Sequence, residues 1–337
     1  MGDTVATQQI GLNSTRGPNA LPVAIALTLT GFAVLIVAIS SVWNRTEVAP
    51  LPIILLAWVG LIVGATGVGR IASWVVDSRS KNRLVDFLPA GLTFVLVVTF
   101  VEALIRAFRI PLALVPAPTQ VFSTLWTVRE VLLRDAYQTF VLEALIGFLF
   151  GSAAGLLLAL LVSRFKFLER GLLPFATVLS SMPIVALAPV IIKIVGLEWS
   201  SKAWVVAITV FFPVVVNAVR GLTEVNPMHL DLMRSYAASD SQAFSSLRVP
   251  NALPFVFNAL KIGTTLGLIG AIVGEFFGAT GSGLGFRIQI EAGRFSFDIV
   301  WAAIIVASVI GISFYNLVAY LERRLTGWHV SFRTEDV

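Results

Sequence analysis

An all-α, polytopic membrane fold of about eight spans is predicted by three features of this chain. It is 57% hydrophobic and only 13% charged, whereas soluble domains carry roughly a quarter charged residues. Apolar runs of about 20 residues, the length that crosses a bilayer, recur along it. It contains no cysteine, which removes disulfides, zinc–thiolate sites and thiol nucleophiles together. The two histidines, His229 and His329, stand too far apart for a metal cluster, and no cofactor is expected. The net charge of +5 reports topology in such a chain and not nucleic-acid binding.

The runs fall at about 21–43, 51–70, 87–105, 140–162, 171–195, 203–220, 257–279 and 299–320. The first is uncharged from Leu21 to Trp43. It is too long for a signal-peptide core and lacks an adjoining basic flank, so it is read as a span. With the N-terminus placed inside, Lys and Arg concentrate in the inner segments, as at Arg70, Arg79, Lys81 and Arg83. The outer segments, which include Arg106, Arg109 and Lys202, hold fewer. That asymmetry puts both termini and the loop after the sixth span in the cytoplasm.

Residues 106–139 form a long outer segment. Pro111, Pro116 and Pro118 break any helix there, and Thr119 can cap a new one. Val121, Leu125, Val128 and Leu132 then recur at helical spacing. The pattern reads either as an amphipathic helix lying on the outer surface or as a packed loop without a transport role.

The loop after the sixth span has its own punctuation. Asn226-Pro227 is an N-cap followed by proline at the first helical position. A short helix to about Ala238 follows, and Ser239 with Gln242 has capping-box spacing for a second. Pro250 is expected to end that helix and Pro254 to mark re-entry. Ala237, Ala238 and Ser239 form a small-residue elbow. A solvated connector and a docking element for a soluble partner both fit this pattern.

No nucleotide site is visible. Gly64 to Ile71 has the G-x-x-x-x-G spacing of a phosphate loop but carries Arg70 and Ile71 where Lys and Ser/Thr are needed. The "GSGLG" run, Gly281 to Gly285, lacks dinucleotide spacing and reads as a tight outer turn. Among ionisable residues in the spans, Glu102, Glu143, Lys193, Lys261 and Glu275 lie near predicted span ends. There they can reach the interface or serve a substrate path, for which Lys193 and Glu275 are the candidates. Glu143 is expected to cap a helix or pair with Arg. Spacing places no carboxylate pair and no nucleophile–base set, so an enzyme is not expected.

The loop resembles the "EAA" loop of ABC importer permeases, with Asp231 in place of the Glu, Leu232 and Met233 for the alanines and Ala237 for the Gly, ending in "LRVPNALP" with Pro250 and Pro254. From about Leu114 to Trp328 the chain resembles the nitrate/sulfonate/taurine branch, through "VPAPTQVFSTL", the proline-spaced "LLPFATVLSSMPIVALAPVIIKIVGLEWSSK" and "AIVGEFFGATGSGLGFRI". The resemblance implies a type I permease core at 86–330, with its coupling loop at 221–255, two additional spans within 1–85 and a short tail at 331–337. It implies that Asp231, Ala237, Ala238, Ser239 and Pro250 meet a cytoplasmic ATPase, present in two copies. An extracytoplasmic solute-binding protein and a second permease subunit, identical or sister, are implied as well, all in contact with membrane lipid. Replacement of the loop Gly by Ala is expected to let the helix run straighter through the elbow. The run from "RSYAAS" to "IGAIVGEFFG" is similar to riboflavin and hydroxymethylpyrimidine permeases. Small anions such as nitrate, sulfonates or taurine, or a gradient-driven carrier, are the rival readings.

Overall fold

The computed structural model describes residues 20–43, 47–78, 83–111, 113–278 and 281–328, and every regular element among them is helical. Arg79, Lys81, His329 and the 331–337 tail lie outside the described residues. The chain divides into two compact units, one ending at Val121 and one beginning at Phe122.

In the first unit, α1 (Ala20–Val42), α2 (Leu51–Ser78) and α3 (Arg83–Ala107) pack together. Small residues let the α1 and α2 backbones touch: a Cβ placed on Gly31 would lie 2.4 Å from the backbone of Gly64. Leu35, Leu96 and Phe100 fill the core while Ile36, Ile62 and Phe94 stay outward, as hydrocarbon surroundings permit. The structure thus places α3, which the sequence groups with the core, beside α1 and α2. Chain direction breaks at the prolines and resumes in α4 (Pro118–Thr127). Its cap is not Thr119. The Glu102 carboxylate, only 3% exposed, accepts from the Thr119 N–H at 2.9 Å and pairs with Arg106 at 2.5 Å. Glu102 is therefore committed to bonds within the chain. Arg106 lies 3.9 Å over the Trp43 ring.

In the second unit a helix runs unbroken for 36 residues from Arg129 to Arg164. It comprises α5 (Arg129–Ala136), a π segment (Tyr137–Leu145) and α6 (Ile146–Arg164). Leu132, expected on a surface helix, instead opens this span and is 2% exposed. The "GFLFGSAAG" stretch puts Gly147, Gly151 and Gly155 on one face of α6. They abut Ala203, Ala207 and Phe211 of α9 (Trp199–Thr223) in that order. The order makes α6 and α9 parallel, so the intervening chain must cross back.

It does so as a broken span. α7 (Lys166–Ser180) and α8 (Ile184–Val195) meet at a 93° bend, where Pro183 cannot continue a helix with Met182 before it. The fifth span is therefore bent, not straight through 171–195. Seven helices long and apolar enough to cross a membrane, with this pair counted as one broken span, give up to eight spans among the described residues.

α9 also starts earlier than expected. Lys202 is no loop residue but lies in its first turn, 1% exposed. α12 (Val249–Gly278) packs antiparallel to α9, with Gly221 against Ala252 at one end and Gly274 against Lys202 at the other. α14 (Phe297–Thr326) closes the unit, and Phe314 sits edge-on to Phe140 and Phe148. Lys261, in α12, pairs with Glu322 of α14 at 2.7 Å.

Candidate functional site

Between α9 and α12 the chain forms α10 (Pro227–Ser235) and α11 (Asp240–Ala243). Asn226 accepts from the Met228 N–H at 3.0 Å with Pro227 behind it, the expected start. α10 ends in a Schellman motif: the Ala237 N–H donates to Arg234 O and the Ala238 N–H to Met233 O, at 2.9 and 3.0 Å. Ala237 takes a left-handed φ of +53°. The Gly-to-Ala exchange thus does not straighten the helix; this chain makes the glycine turn with alanine. Ser239 and Gln242 complete the capping box, with the Ser239 N–H donating to Gln242 Oε1 at 2.8 Å.

Pro250 does not end the second helix. Asp240 to Gly278 is one 39-residue helical run. A π turn at Phe244–Arg248, closed by the Val249 N–H on Phe244 O, widens the backbone just before the proline. That widening removes the ring's usual clash with the preceding turn. Asp231 is exposed and holds Arg234 at 3.0 Å. The elbow encloses a cavity of about 530 Å³ whose lining includes Arg164, Arg234, Arg248, Asp240 and Ala238.

At the opposite end of the second unit lies a buried polar cluster. Gly283, with φ +121°, opens α13 (Leu284–Gly293), and four successive N–H groups there find acceptors. Gly283 donates to Asp135 at 3.0 Å and Leu284 to Thr139 Oγ1 at 2.8 Å. Gly285 and Phe286 donate to Glu275 Oε2 at 2.5 and 3.3 Å. Thr139 in turn donates to Glu275 Oε1 at 2.6 Å. A carboxylate at a helix N-terminus is the favourable sign for the dipole. Glu275 is thus 1% exposed and committed to the protein. Arg287 bonds Asp135 at 2.8 Å and reaches Glu291. Desolvation lowers the Arg287 pKa, but its bonds to Asp135 outweigh that and hold it above the usual value.

Glu143 neither caps a helix nor pairs with Arg. Gln138 donates to it at 3.0 Å, and its carboxyl group lies against that of Glu275. The pair that spacing did not place therefore exists. Lys202 sits within Coulombic reach of both and donates to Leu197 O and to Gly278 O, the last carbonyl of α12. Lys193 is exposed in the last turn of α8 and takes no part in this network. Asp135 and Thr139 were missed, though they precede Glu143 at four-residue spacing on one face of the same helix.

Residues 147–327 match the family described as binding-protein-dependent transport system inner membrane component. The chain belongs to that family. It is the permease subunit of an ABC importer of small solutes, a multi-pass inner-membrane protein of a class that works with an ATPase and usually a binding protein. The chain is 31% identical to the formylaminopyrimidine transport permease of Halalkalibacterium halodurans, over 64% of this chain and 86% of that one. It is 29% identical to the riboflavin transport permease of Chloroflexus aurantiacus, over 71% and 89%. The taurine transport permease of Escherichia coli is 32% identical over 48% and 58%. A solved amino acid ABC transporter shares the fold at TM-score 0.51 and 18% identity, covering 60% of this chain and 98% of its own. Elbow, bent span and Glu275 all lie inside the matched stretch of this permease, and α1 to α3 lie before it.

Proposed function

We propose that the permease translocates a small neutral heterocycle, of the riboflavin or pyrimidine vitamin-precursor kind, and that its elbow at 226–248 is the cytoplasmic docking point for a separate ATPase. The observation that carries the docking reading is the elbow itself. It is fastened by a Schellman motif and a capping box, yet exposes Met228, Leu232 and Tyr236. A rigid segment with uncovered apolar side chains is built to be gripped. α11 continues without a break into α12, so a push on the elbow travels along one 39-residue rod to the Glu275 cluster. Two ATPases, an extracytoplasmic binding protein and a second permease subunit complete the assembly in this reading, with both termini of the chain inside.

The neutral substrate is supported by the bend of α7 and α8. A cavity of about 110 Å³ there is lined by Ser180, Met182, Thr209 and Phe212 among apolar neighbours, and no lining residue is charged. An anion path would need a cation at that depth. The permeases named for formylaminopyrimidine and riboflavin, matched over 86% and 89% of their length, support this reading beside a sulfonate permease matched over 70%. Uptake is measured in a transporter-null host expressing the full set of subunits, with labelled riboflavin, a labelled aminopyrimidine and taurine. Accumulation of a heterocycle above background supports the reading. Accumulation of taurine alone overturns it.

A further inference from the structure

The elbow presents two chemically different surfaces. On α10, Met228, Leu232 and Tyr236 recur at four-residue spacing and are exposed at 72%, 55% and 79%, which makes a continuous apolar stripe. Between its members lie His229, Asp231 and Arg234, so the helix is too polar to rest in hydrocarbon. Behind the stripe, the 530 Å³ cavity is lined by three arginines, Arg164, Arg234 and Arg248, and by one acidic residue, Asp240. Arg234 is already engaged by Asp231. Arg164 and Arg248 make no ion pair among the described residues. A concave, cation-rich wall beside an exposed apolar stripe fits a partner surface of opposite sign and similar character. A lipid headgroup would answer the arginines but leave the stripe uncovered.

We infer that the cavity receives a carboxylate side chain of the ATPase, paired by Arg248 and Arg164, while Met228, Leu232 and Tyr236 enter an apolar groove of the same subunit. The inference rests on the coupling reading above and adds the chemistry of the partner surface, acidic beside apolar.

The test uses the full permease in nanodiscs, of phosphatidylcholine alone or mixed with phosphatidylglycerol, and the ATPase encoded beside it. Arg248→Glu is expected to raise the Kd for the ATPase about tenfold at moderate salt, equally in both lipids. Arg323→Glu, an exposed charge outside the cavity, makes the same change in net charge and is expected to stay within about twofold. Arg248→Gln is expected to give a smaller loss of the same sign, and it serves if the reversal does not fold. Equal binding by Arg248→Glu and the unaltered chain would overturn the inference and leave coupling intact. A loss confined to the phosphatidylglycerol discs would assign the cavity to lipid and overturn it too. No binding by the unaltered chain would overturn the coupling reading and this inference together.

Discussion

Ala237 holds a left-handed φ of +53° at the end of α10, a conformation that costs a non-glycine residue about 1–2 kcal/mol. Ala237→Gly should therefore slow hydrogen exchange at the Ala237 and Ala238 amides about tenfold, for about 1.4 kcal/mol of added local stability. Unchanged or faster exchange would show that the turn is not strained. Gly283 is the opposite case. Its φ of +121° with ψ of 152° is open only to glycine, and a Cβ there would lie 2.1 Å from Glu275 Oε1. Gly283→Ala should cost on the order of 3 kcal/mol and lower the melting temperature of the purified permease. Melting at the unaltered temperature would contradict the cradle around Glu275. The elbow's caps were legible because Asn226-Pro227 and Ser239-x-x-Gln242 act within four residues. The Glu275 cluster was not, because Glu275 finds Thr139 from 136 positions away, and spacing alone cannot join them.

All eight spans show in the sequence as apolar runs, but not all of their ends do: the fourth begins at Arg129 and not near 140, and the helix of the seventh begins at Asp240 and not near 257. The bend in the fifth does not show either. Hydropathy continues through Ser180–Ile184, so a composition window passes over a bend that only the backbone restriction at Met182-Pro183 and the parallel order of α6 and α9 reveal. The face that enforces that order is itself testable. A Cβ on Gly151 would lie 2.3 Å from Ala207 O, whereas one on Gly69 of α2 meets nothing within 4 Å. Gly151→Leu should force α6 from α9 and leave little folded protein after solubilisation, as judged by size-exclusion profile. Gly69→Ala should be indistinguishable from the unaltered chain. Equal profiles for the two variants would contradict the close contact.

At the scale of the molecule, the family match begins after α3, and the second compact unit contains the elbow, the bent span and the Glu275 cluster within itself. Deleting residues 1–112 should then leave a permease core that inserts and binds its ATPase with undiminished affinity. Loss of insertion would show that α1 to α3 are needed to form the core. The most direct test of the central claim uses the absence of native cysteine. Ala238, which lines the elbow cavity, is changed to Cys, the chain is expressed with its genomic neighbours, and native membranes receive a short thiol–amine crosslinker. Capture of an ATPase at Ala238→Cys, identified by mass spectrometry, is the result expected of a coupling elbow. Folded permease that yields only solvent-quenched product would contradict it and leave a solvated connector in its place.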